Sequence, residues 1–231
     1  MNPLVAVMTR VPLPGQTKTR LMTHLSGEEC AKLQQAFLED LIVLLTEDVR
    51  LPAGLFFAPP EHQQLIENIV DGRLPCWPQA GENLGERLEF VVRNGFEQGF
   101  QAVIVIGSDS PMLQASLFEE TVNLLKDHDI VLGPAEDGGY YLVAMKSYHP
   151  EVFSRISWGT ELVFSQTVER IAEQGLTVTL LSYGNDIDTF DDLLALHQQL
   201  HRAIEEGQLY PRQTYKTTAE LFATPDRSKK V

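Results

Sequence analysis

Short apolar runs alternate with longer segments in which apolar residues recur every three or four positions along most of the chain. The runs have the length of strands and the longer segments have the length of helices, which is typical of successive β-α-β units. Residues 4–8 predict the first strand, and residues 102–106, which are almost entirely β-branched, predict a central strand covered on both faces. The pattern therefore indicates an α/β fold.

The same periodicity predicts the other elements. Ser26 and Glu29 have the spacing of a capping box and predict the start of a helix over residues 26–47. The remaining helices are predicted over residues 63–70, 84–98, 116–126, 160–174 and 190–203, and the remaining strands over residues 55–58, 130–133, 140–145 and 177–181. After the last of these helices the periodicity ends, so we expect one domain over residues 1–204 and an irregular, partly disordered polar arm over residues 205–231.

A basic loop over residues 14–20, with the sequence Pro-Gly-Gln-Thr-Lys-Thr-Arg, follows the first predicted strand. Such a junction binds phosphate in α/β proteins, because main-chain amides near Gly15 converge on an anion, Lys18 is a mobile point charge, and Arg10 and Arg20 match phosphate oxygens. A solvated surface loop is the alternative. The spacing fits neither a P-loop triphosphatase nor a dinucleotide oxidoreductase.

Aspartates follow the predicted strands at the edge where ligands bind to open α/β sheets. Asp109 follows the central strand, and Asp186 and Asp188 follow the last one. Because Mg²⁺ typically uses one or two carboxylates together with substrate phosphates, we predict Asp109 and Asp188 as ligands of Mg²⁺ or Mn²⁺. The alternatives are a turn role for Asp109 and a capping-box-like pair of Thr189 with Asp192 in the second cluster.

Two glycines precede the strand predicted over residues 140–145. Gly138 and Gly139 make a tight hairpin turn or allow a ligand to approach the main chain closely. Tyr140 and Tyr141 then face opposite sides of the strand, so one of them at most points to the site. We predict that the glycines and Tyr140 belong to a substrate or acceptor pocket.

Two predicted helix starts carry further candidates. Residues 79–87 contain two glycines before a helix, and there Asn83 and Arg87 are predicted contacts for a nucleotide, although the start of the helix alone explains the pattern. Trp158 is predicted in the acceptor pocket. Its alternative is a hydrophobic anchor before Thr160, which we expect to be the N-cap of the next helix.

Composition limits the class of protein. A chain of 231 residues with 43% hydrophobic residues fits one domain, and a net charge of −14 disfavours general binding of nucleic acid or anionic membranes. Cys30 and Cys76 lack metal-binding spacing and are predicted to be buried and reduced. We find neither a signal peptide nor a stretch long enough to span a membrane, and expect a soluble, cytoplasmic protein.

Six motifs in order resemble the small bacterial glycosyltransferase-A-like family of nucleotide-diphospho-sugar transferases. They are Pro14-Gly15-x-x-Lys18-Thr19-Arg20-Leu21, Gly85-Glu86-Arg87, Gly107-Ser108-Asp109-Ser110-Pro111, Gly133-Pro134-Ala135-x-Asp137-Gly138-Gly139-Tyr140-Tyr141, Trp158-Gly159-Thr160 and Asp186-x-Asp188-Thr189. The resemblance implies a three-layer α/β/α fold with a mostly parallel mixed sheet. It also implies a nucleotide phosphate site near Lys18 and Arg20 and a metal site near Asp109.

The same chain is also similar to phospholactate guanylyltransferases and, more distantly, to molybdenum-cofactor cytidylyltransferases. The shared segments are Lys18-Thr19-Arg20-Leu21 and Pro134-x-x-Asp137-Gly138-Gly139. These enzymes attack an α-phosphate rather than an anomeric carbon. Asp109 between two serines departs from the Asp-x-Asp triplet of glycosyltransferases and favours nucleotidyl transfer. Against it, Tyr140-Tyr141 replaces the polar pair expected in guanylyltransferases, and the glycine-rich first loop of cytidylyltransferases is absent.

From these resemblances we predict metal-assisted glycosyl transfer from a nucleotide-diphospho-sugar. Nucleotidyl transfer is the alternative, and a non-catalytic nucleotide-binding module is the third hypothesis. In the first, Lys18, Arg20 and a metal on Asp109 stabilise the leaving diphosphate, and Asp137 takes the acceptor proton if the configuration inverts. The sequence leaves open the nucleotide base, the acceptor, and whether the chain is a homo-oligomer. Because a loop lysine is expected to be exposed, Lys18→Ala should weaken nucleotide affinity and leave the Tm nearly unchanged.

Overall fold

The structure is a computed structural model that describes residues 1–223. The strands are β1 (Pro3–Arg10), β2 (Ala53–Ala58), β3 (Cys76–Pro78), β4 (Ala102–Gly107), β5 (Ile130–Pro134), β6 (Tyr140–Met145) and β7 (Val178–Leu180). The α-helices are α1 (Gly27–Val43), α2 (Gln63–Val70), α3 (Leu84–Glu97), α4 (Ala115–Asp127), α5 (Val163–Glu173), α6 (Phe190–Glu205) and α7 (Arg212–Phe222). A π-helical segment, Leu44–Val49, extends α1.

The strands form one mixed sheet in the order β3-β2-β1-β4-β6-β5-β7. β1 runs parallel to β2 and β4, whereas β6 is antiparallel to its neighbours β4 and β5. The prediction of a central strand is confirmed, because β4 is the fourth of seven strands and is buried along almost its whole length. β5 and β6 form the predicted hairpin.

Helices cover both faces of the sheet. Val5 and Val7 of β1 pack with α1, α2 and α4 on one face, and Leu4 and Ala6 pack with α3 and α5 on the other. This alternation follows from the two-residue period of a strand. The predicted three-layer α/β/α architecture is therefore confirmed. A third apolar cluster joins α1 to α6 and α7 at one side of the sheet.

The first long helix begins as predicted. Ser26 Oγ accepts a hydrogen bond from Glu29 N at 3.2 Å, and Ser26 N donates to Glu29 Oε2 at 2.7 Å. This reciprocal capping box fixes where α1 starts, and with it the end of the basic loop that precedes it. Cys30 lies buried within the helix, as predicted. The same prediction is wrong for Cys76, which is only half-buried in β3.

The prediction of an irregular arm after residue 204 is wrong for residues 212–222, which form α7. Gln213 N and Thr214 N donate to the two carboxylate oxygens of Asp40 in α1, at 3.0 and 2.7 Å. The sequence around α7 is polar and lacks its own cap, so local periodicity gave no signal, and the helix is stabilised by a distant helix instead. The last part of the predicted arm, residues 224–231, lies outside the described residues.

The prediction of Thr160 as an N-cap is also wrong. α5 begins at Val163, and the Thr160 hydroxyl donates to Ser157 O at 2.7 Å and accepts from Leu162 N at 3.3 Å. Thr160 therefore stabilises a turn that ends before the helix. Within residues 1–223, no helix combines the length and the apolar composition that a membrane span requires.

Candidate nucleotide site

An open cavity of about 600 Å³ lies at the carboxyl ends of β1 and β4. Its wall includes residues 8–10 at the end of β1, residues 107–109 at the end of β4, and residues 17–20 of the basic loop. The volume is in the range of small-molecule sites, and the position is the edge at which ligands bind in open α/β sheets. Eight predicted site residues line it: Arg10, Lys18, Arg20, Asn83, Arg87, Asp109, Tyr140 and Asp188.

Lys18 connects the basic loop to the carboxylates. Its Nζ lies 2.8 Å from Asp109 Oδ1, donates to Ile187 O at 2.7 Å, and lies 3.8 Å from Asp188 Oδ1. The predicted meeting of the loop and Asp109 at one sheet edge is therefore present. The expectation of an exposed lysine is wrong, because only 3% of the side chain is exposed. Lys18 has a left-handed backbone conformation (φ 49°), so the chain turns sharply at this residue.

Three arginines line the same cavity as this ion pair. Arg20 Nη1 lies 3.2 Å from Asp188 Oδ2, and its side chain is largely exposed. Arg10 is exposed at the end of β1. Arg87 Nε donates a hydrogen bond to Gly81 O at 3.0 Å. Because guanidinium groups bind phosphate oxygens through several N–H donors, the cavity wall suits a polyanionic ligand in a chain that is acidic as a whole.

Asp186 contributes a role that the sequence did not reveal. It accepts a hydrogen bond from Ser110 Oγ and so ties the segment after β7 to the turn after Asp109. Burial raises the pKa of Asp186 to about 6; the Ser110 hydrogen bond and Lys18 oppose the shift, and the charges of Asp109 and Asp188 add to it. Burial raises the pKa of Asp188 as well, and Lys18 opposes that shift.

A buried chain of polar side chains lies behind the cavity wall. Gln34 in α1 donates to Ser108 Oγ at 2.7 Å, and Ser108 donates to Thr9 Oγ1 at 2.9 Å. Thr9 in turn donates to Arg10 O at 3.0 Å. These bonds join α1 to the ends of β4 and β1, the two strands that present Asp109 and Arg10. The only signal in the sequence was the appearance of hydroxyl residues at the ends of two apolar strands.

Gln79 and Asn83 shape the side of the cavity near α3. Gln79 Nε2 donates to Thr9 O at 3.1 Å and to Phe56 O at 2.8 Å, which fixes the orientation of its amide. Asn83 is the N-cap of α3, since its Oδ1 accepts from Glu86 N at 3.0 Å. The helix-start alternative for Asn83 is therefore correct, although the residue also lines the cavity.

Five predicted site residues do not line this cavity: Gly15, Asp137, Gly138, Gly139 and Trp158. Asp137 Oδ1 accepts from Gly139 N at 2.9 Å within the hairpin turn. Trp158 packs edge-on against Tyr140, with ring centroids 6.4 Å apart, and lies over Gly85, where a Cβ would come within 2.5 Å of its Nε1. The anchoring alternative for Trp158 fits this packing. Burial raises the pKa of Tyr140.

Both the backbone conformation at position 138 and the neighbouring atoms require a glycine there. Its φ is +85°, and a Cβ at this position would lie 2.3 Å from Glu161 O. We expect Gly138→Ala to lower the free energy of unfolding by about 2–4 kcal/mol. Part of the loss comes from holding alanine in a left-handed backbone conformation, and part from displacing the neighbouring segment. Gly159→Ala is the matched control, because φ is +81° there and nothing lies within 4 Å of the new Cβ. Urea unfolding measures both, and equal losses would contradict the steric contribution.

The predicted metal ligands share one cationic partner. Asp109 and Asp188 both lie within 4.0 Å of Lys18 Nζ. The described part of the chain holds no cluster of three or more His, Cys, Asp or Glu side chains arranged to hold a metal ion. Two carboxylates facing a cavity lined with cations still fit Mg²⁺, which commonly takes its remaining ligands from substrate phosphates and water.

The fold and the cavity define an α/β protein with the nucleotide-diphospho-sugar transferase fold. The chain belongs to the family described as "Uncharacterized protein conserved in bacteria (DUF2064)", whose model matches residues 41–160. A proposed nucleotide-diphospho-sugar transferase from Desulfovibrio desulfuricans G20 has a similar crystal structure, with a TM-score of 0.85, 29% identity and 96% of each chain covered.

Other likenesses are to nucleotidyltransferases. The chain is 28% identical to 2-phospho-L-lactate guanylyltransferase of Methanocaldococcus jannaschii over 135 residues, which are 56% of this chain and 54% of that protein. It thus spans about half the length of the curated relatives it matches. The chain also resembles the structure of 4-diphosphocytidyl-2C-methyl-D-erythritol synthase from Anaerococcus prevotii, with a TM-score of 0.55 and 12% identity. The match covers 87% of this chain and 100% of that one, and at this identity it shows a shared fold alone.

Proposed function

We propose that this protein is a nucleotidyltransferase that moves a nucleoside monophosphate, with guanylyl as the first candidate, from a nucleoside triphosphate to a small phosphorylated acceptor. The observation that carries the proposal is the 2.8 Å contact between Lys18 Nζ and Asp109 Oδ1 on the cavity wall. The guanylyltransferase relatives support it better than they support the glycosyl transfer predicted from sequence. Glycosyl transfer is the second candidate, favoured by the description of the Desulfovibrio structure.

The charges in the cavity suit this reaction. An acceptor oxygen attacks the α-phosphorus, the bond from that phosphorus to the bridging oxygen of the β-phosphate breaks, and pyrophosphate leaves with the electron pair. Negative charge therefore builds on the pyrophosphate. Lys18, Arg20 and Arg10 line the cavity and are in place before the reaction. There they would stabilise that charge, and such electrostatic stabilisation is a main source of catalysis in phosphoryl transfer.

A divalent ion belongs to the same proposal. Asp109 and Asp188 would hold Mg²⁺ or Mn²⁺, as hard oxygen ligands that already share a cationic partner. When bound, the ion supplies charge neutralisation to the triphosphate and the leaving pyrophosphate. Arg20, which contacts the other oxygen of Asp188, would orient that carboxylate.

A phosphorylated acceptor removes the need for a base at Asp137. This residue was predicted as the base that takes an acceptor proton, yet its carboxylate binds the Gly139 amide in a turn outside the cavity wall. A phosphate monoester has a second pKa of about 6 and is largely a dianion at neutral pH, so it attacks without losing a proton. The proposed reaction needs no base at Asp137.

The products distinguish the two candidate reactions. The full chain is incubated with Mg²⁺ and each nucleoside triphosphate, together with 2-phospho-L-lactate or other small phosphorylated acids. We expect release of pyrophosphate that depends on the acceptor, with GTP as the best donor. A parallel incubation uses nucleotide-diphospho-sugars and simple acceptors. Release of nucleoside diphosphate there, without pyrophosphate in the first arm, would reject nucleotidyl transfer in favour of glycosyl transfer.

A further inference from the structure

Two histidines form a close pair on α6, in a part of the molecule that the proposed reaction does not use. His197 and His201 lie one helical turn apart, and their Nε2 atoms are 3.2 Å from each other. The rings are nearly perpendicular, at 89°, with centroids 4.5 Å apart. His197 is half-buried and His201 is exposed. Neither residue lines the nucleotide cavity.

A threonine on α7 lies within hydrogen-bond distance of His197. The Thr218 hydroxyl donates to Tyr215 O at 3.0 Å, so only its lone pairs remain for His197 Nδ1, which lies 3.3 Å away. With the hydroxyl proton on Tyr215 O, His197 Nδ1 is the donor, and its Nε2 carries a lone pair directed at His201. A hydrogen-bond acceptor behind a ligating imidazole is the usual arrangement at protein metal sites.

The two rings are also held in place by packing. His197 stacks on Phe222, with centroids 4.5 Å apart and an interplanar angle of 29°. His201 meets the Tyr215 ring edge-on at 5.4 Å. Both contacts come from α7, which is itself fixed to α1 through Asp40.

The separation of the nitrogens matches a chelated metal ion. Imidazole nitrogens lie about 2.0–2.1 Å from Zn²⁺, so two of them at tetrahedral or octahedral angles are about 2.9–3.4 Å apart. We propose that His197 and His201 chelate a first-row transition dication such as Zn²⁺ or Cu²⁺. The described residues provide no third side-chain ligand there, and water on the exposed side of His201 completes the coordination. Without the ion, a hydrogen bond from His201 Nε2 to His197 Nε2 occupies the same space.

Metal titration of the untagged full chain tests this site. Calorimetry with Zn²⁺ is performed in excess Mg²⁺, which occupies the carboxylates proposed for the nucleotide site, and we expect one Zn²⁺ per chain. His201→Ala should weaken binding about 100-fold, and Thr218→Val about tenfold, because the orienting acceptor is lost while both ligands remain. His62→Ala, which changes a histidine outside the pair, should have no effect.

Cu²⁺ gives an independent readout. Its electron paramagnetic resonance spectrum should show hyperfine coupling to two imidazole nitrogens in the unaltered chain and to one in His201→Ala. An unaltered chain that binds no Zn²⁺, or Zn²⁺ binding that survives His201→Ala, would overturn the proposal and leave the pair as a hydrogen bond between two rings. These outcomes do not depend on nucleotidyl transfer, since neither measurement uses a nucleotide.

Discussion

Replacement of Asp109 by asparagine is expected to lower kcat/KM for nucleotidyl transfer roughly 10²- to 10³-fold, the size typical for loss of one preorganised electrostatic group. Asparagine keeps the shape of the side chain but removes the charge that would hold the metal ion. Lys18 keeps its bond to Ile187 O and its contact with Asp188, so the cavity wall should stay in place. Acceptor-dependent release of pyrophosphate measures the loss, and a thermal melt checks that the protein is folded.

Asp137→Asn is the matched control for this substitution. Its carboxylate caps a turn at 2.9 Å from Gly139 N and does not line the cavity. An asparagine oxygen accepts the same hydrogen bond, so activity should change by less than about threefold. The opposite ranking, with Asp137→Asn inactive and Asp109→Asn active, would show that the hairpin carboxylate performs the chemistry and that the metal assignment is wrong.

Most of the sheet could be predicted because its signals are local. The apolar run before Asp109 and the capping box at Ser26 depend on residues a few positions apart, and both elements are present in the structure. α7 could not be predicted, since its N-terminal amides bind Asp40, which lies in α1. A bond between distant segments leaves no periodic pattern in the sequence.

The candidate site, too, could be predicted only in part. Residues next to strand ends, such as Arg10 and Asp109, could be placed on the correct edge because a parallel sheet fixes which edge the strand ends share. The hydrogen-bond partners of the site side chains could not be predicted from the sequence. Ser110 contacts Asp186, and Gln34 contacts Ser108, only after the chain has folded. The burial of the Lys18 side chain was not predicted for the same reason, because a residue in a loop is expected to be exposed.

Replacement of Lys18 by methionine is expected to reduce both stability and catalysis. Methionine keeps most of the apolar stem but removes the ammonium, which lies 5.4 Å from the centroid of the Phe37 ring. The same ammonium bonds Asp109 Oδ1 and Ile187 O at 2.8 and 2.7 Å. Asp109 and Asp188 then face each other without a cation. Because both are still partly exposed to water, we expect a loss of about 1–3 kcal/mol in the free energy of unfolding, toward the lower end of the values for broken ion pairs. Urea denaturation at neutral pH measures this loss.

Lys32→Met separates this effect from general loss of a lysine. Lys32 contacts Glu220 through an ion pair in which both side chains are about half-exposed, and exposed pairs of this kind contribute less than about 1 kcal/mol. We expect Lys32→Met to leave nucleotidyl transfer unchanged, whereas Lys18→Met lowers kcat/KM roughly 10²-fold or more by removing a charge beside the leaving pyrophosphate. If Lys18→Met were as stable and as active as Lys32→Met, the ion pair with Asp109 would have no role in the fold or in the reaction. Loss of stability with full activity would assign Lys18 to the structure of the cavity wall alone, and Arg10 and Arg20 would then remain as the cations available to the phosphates.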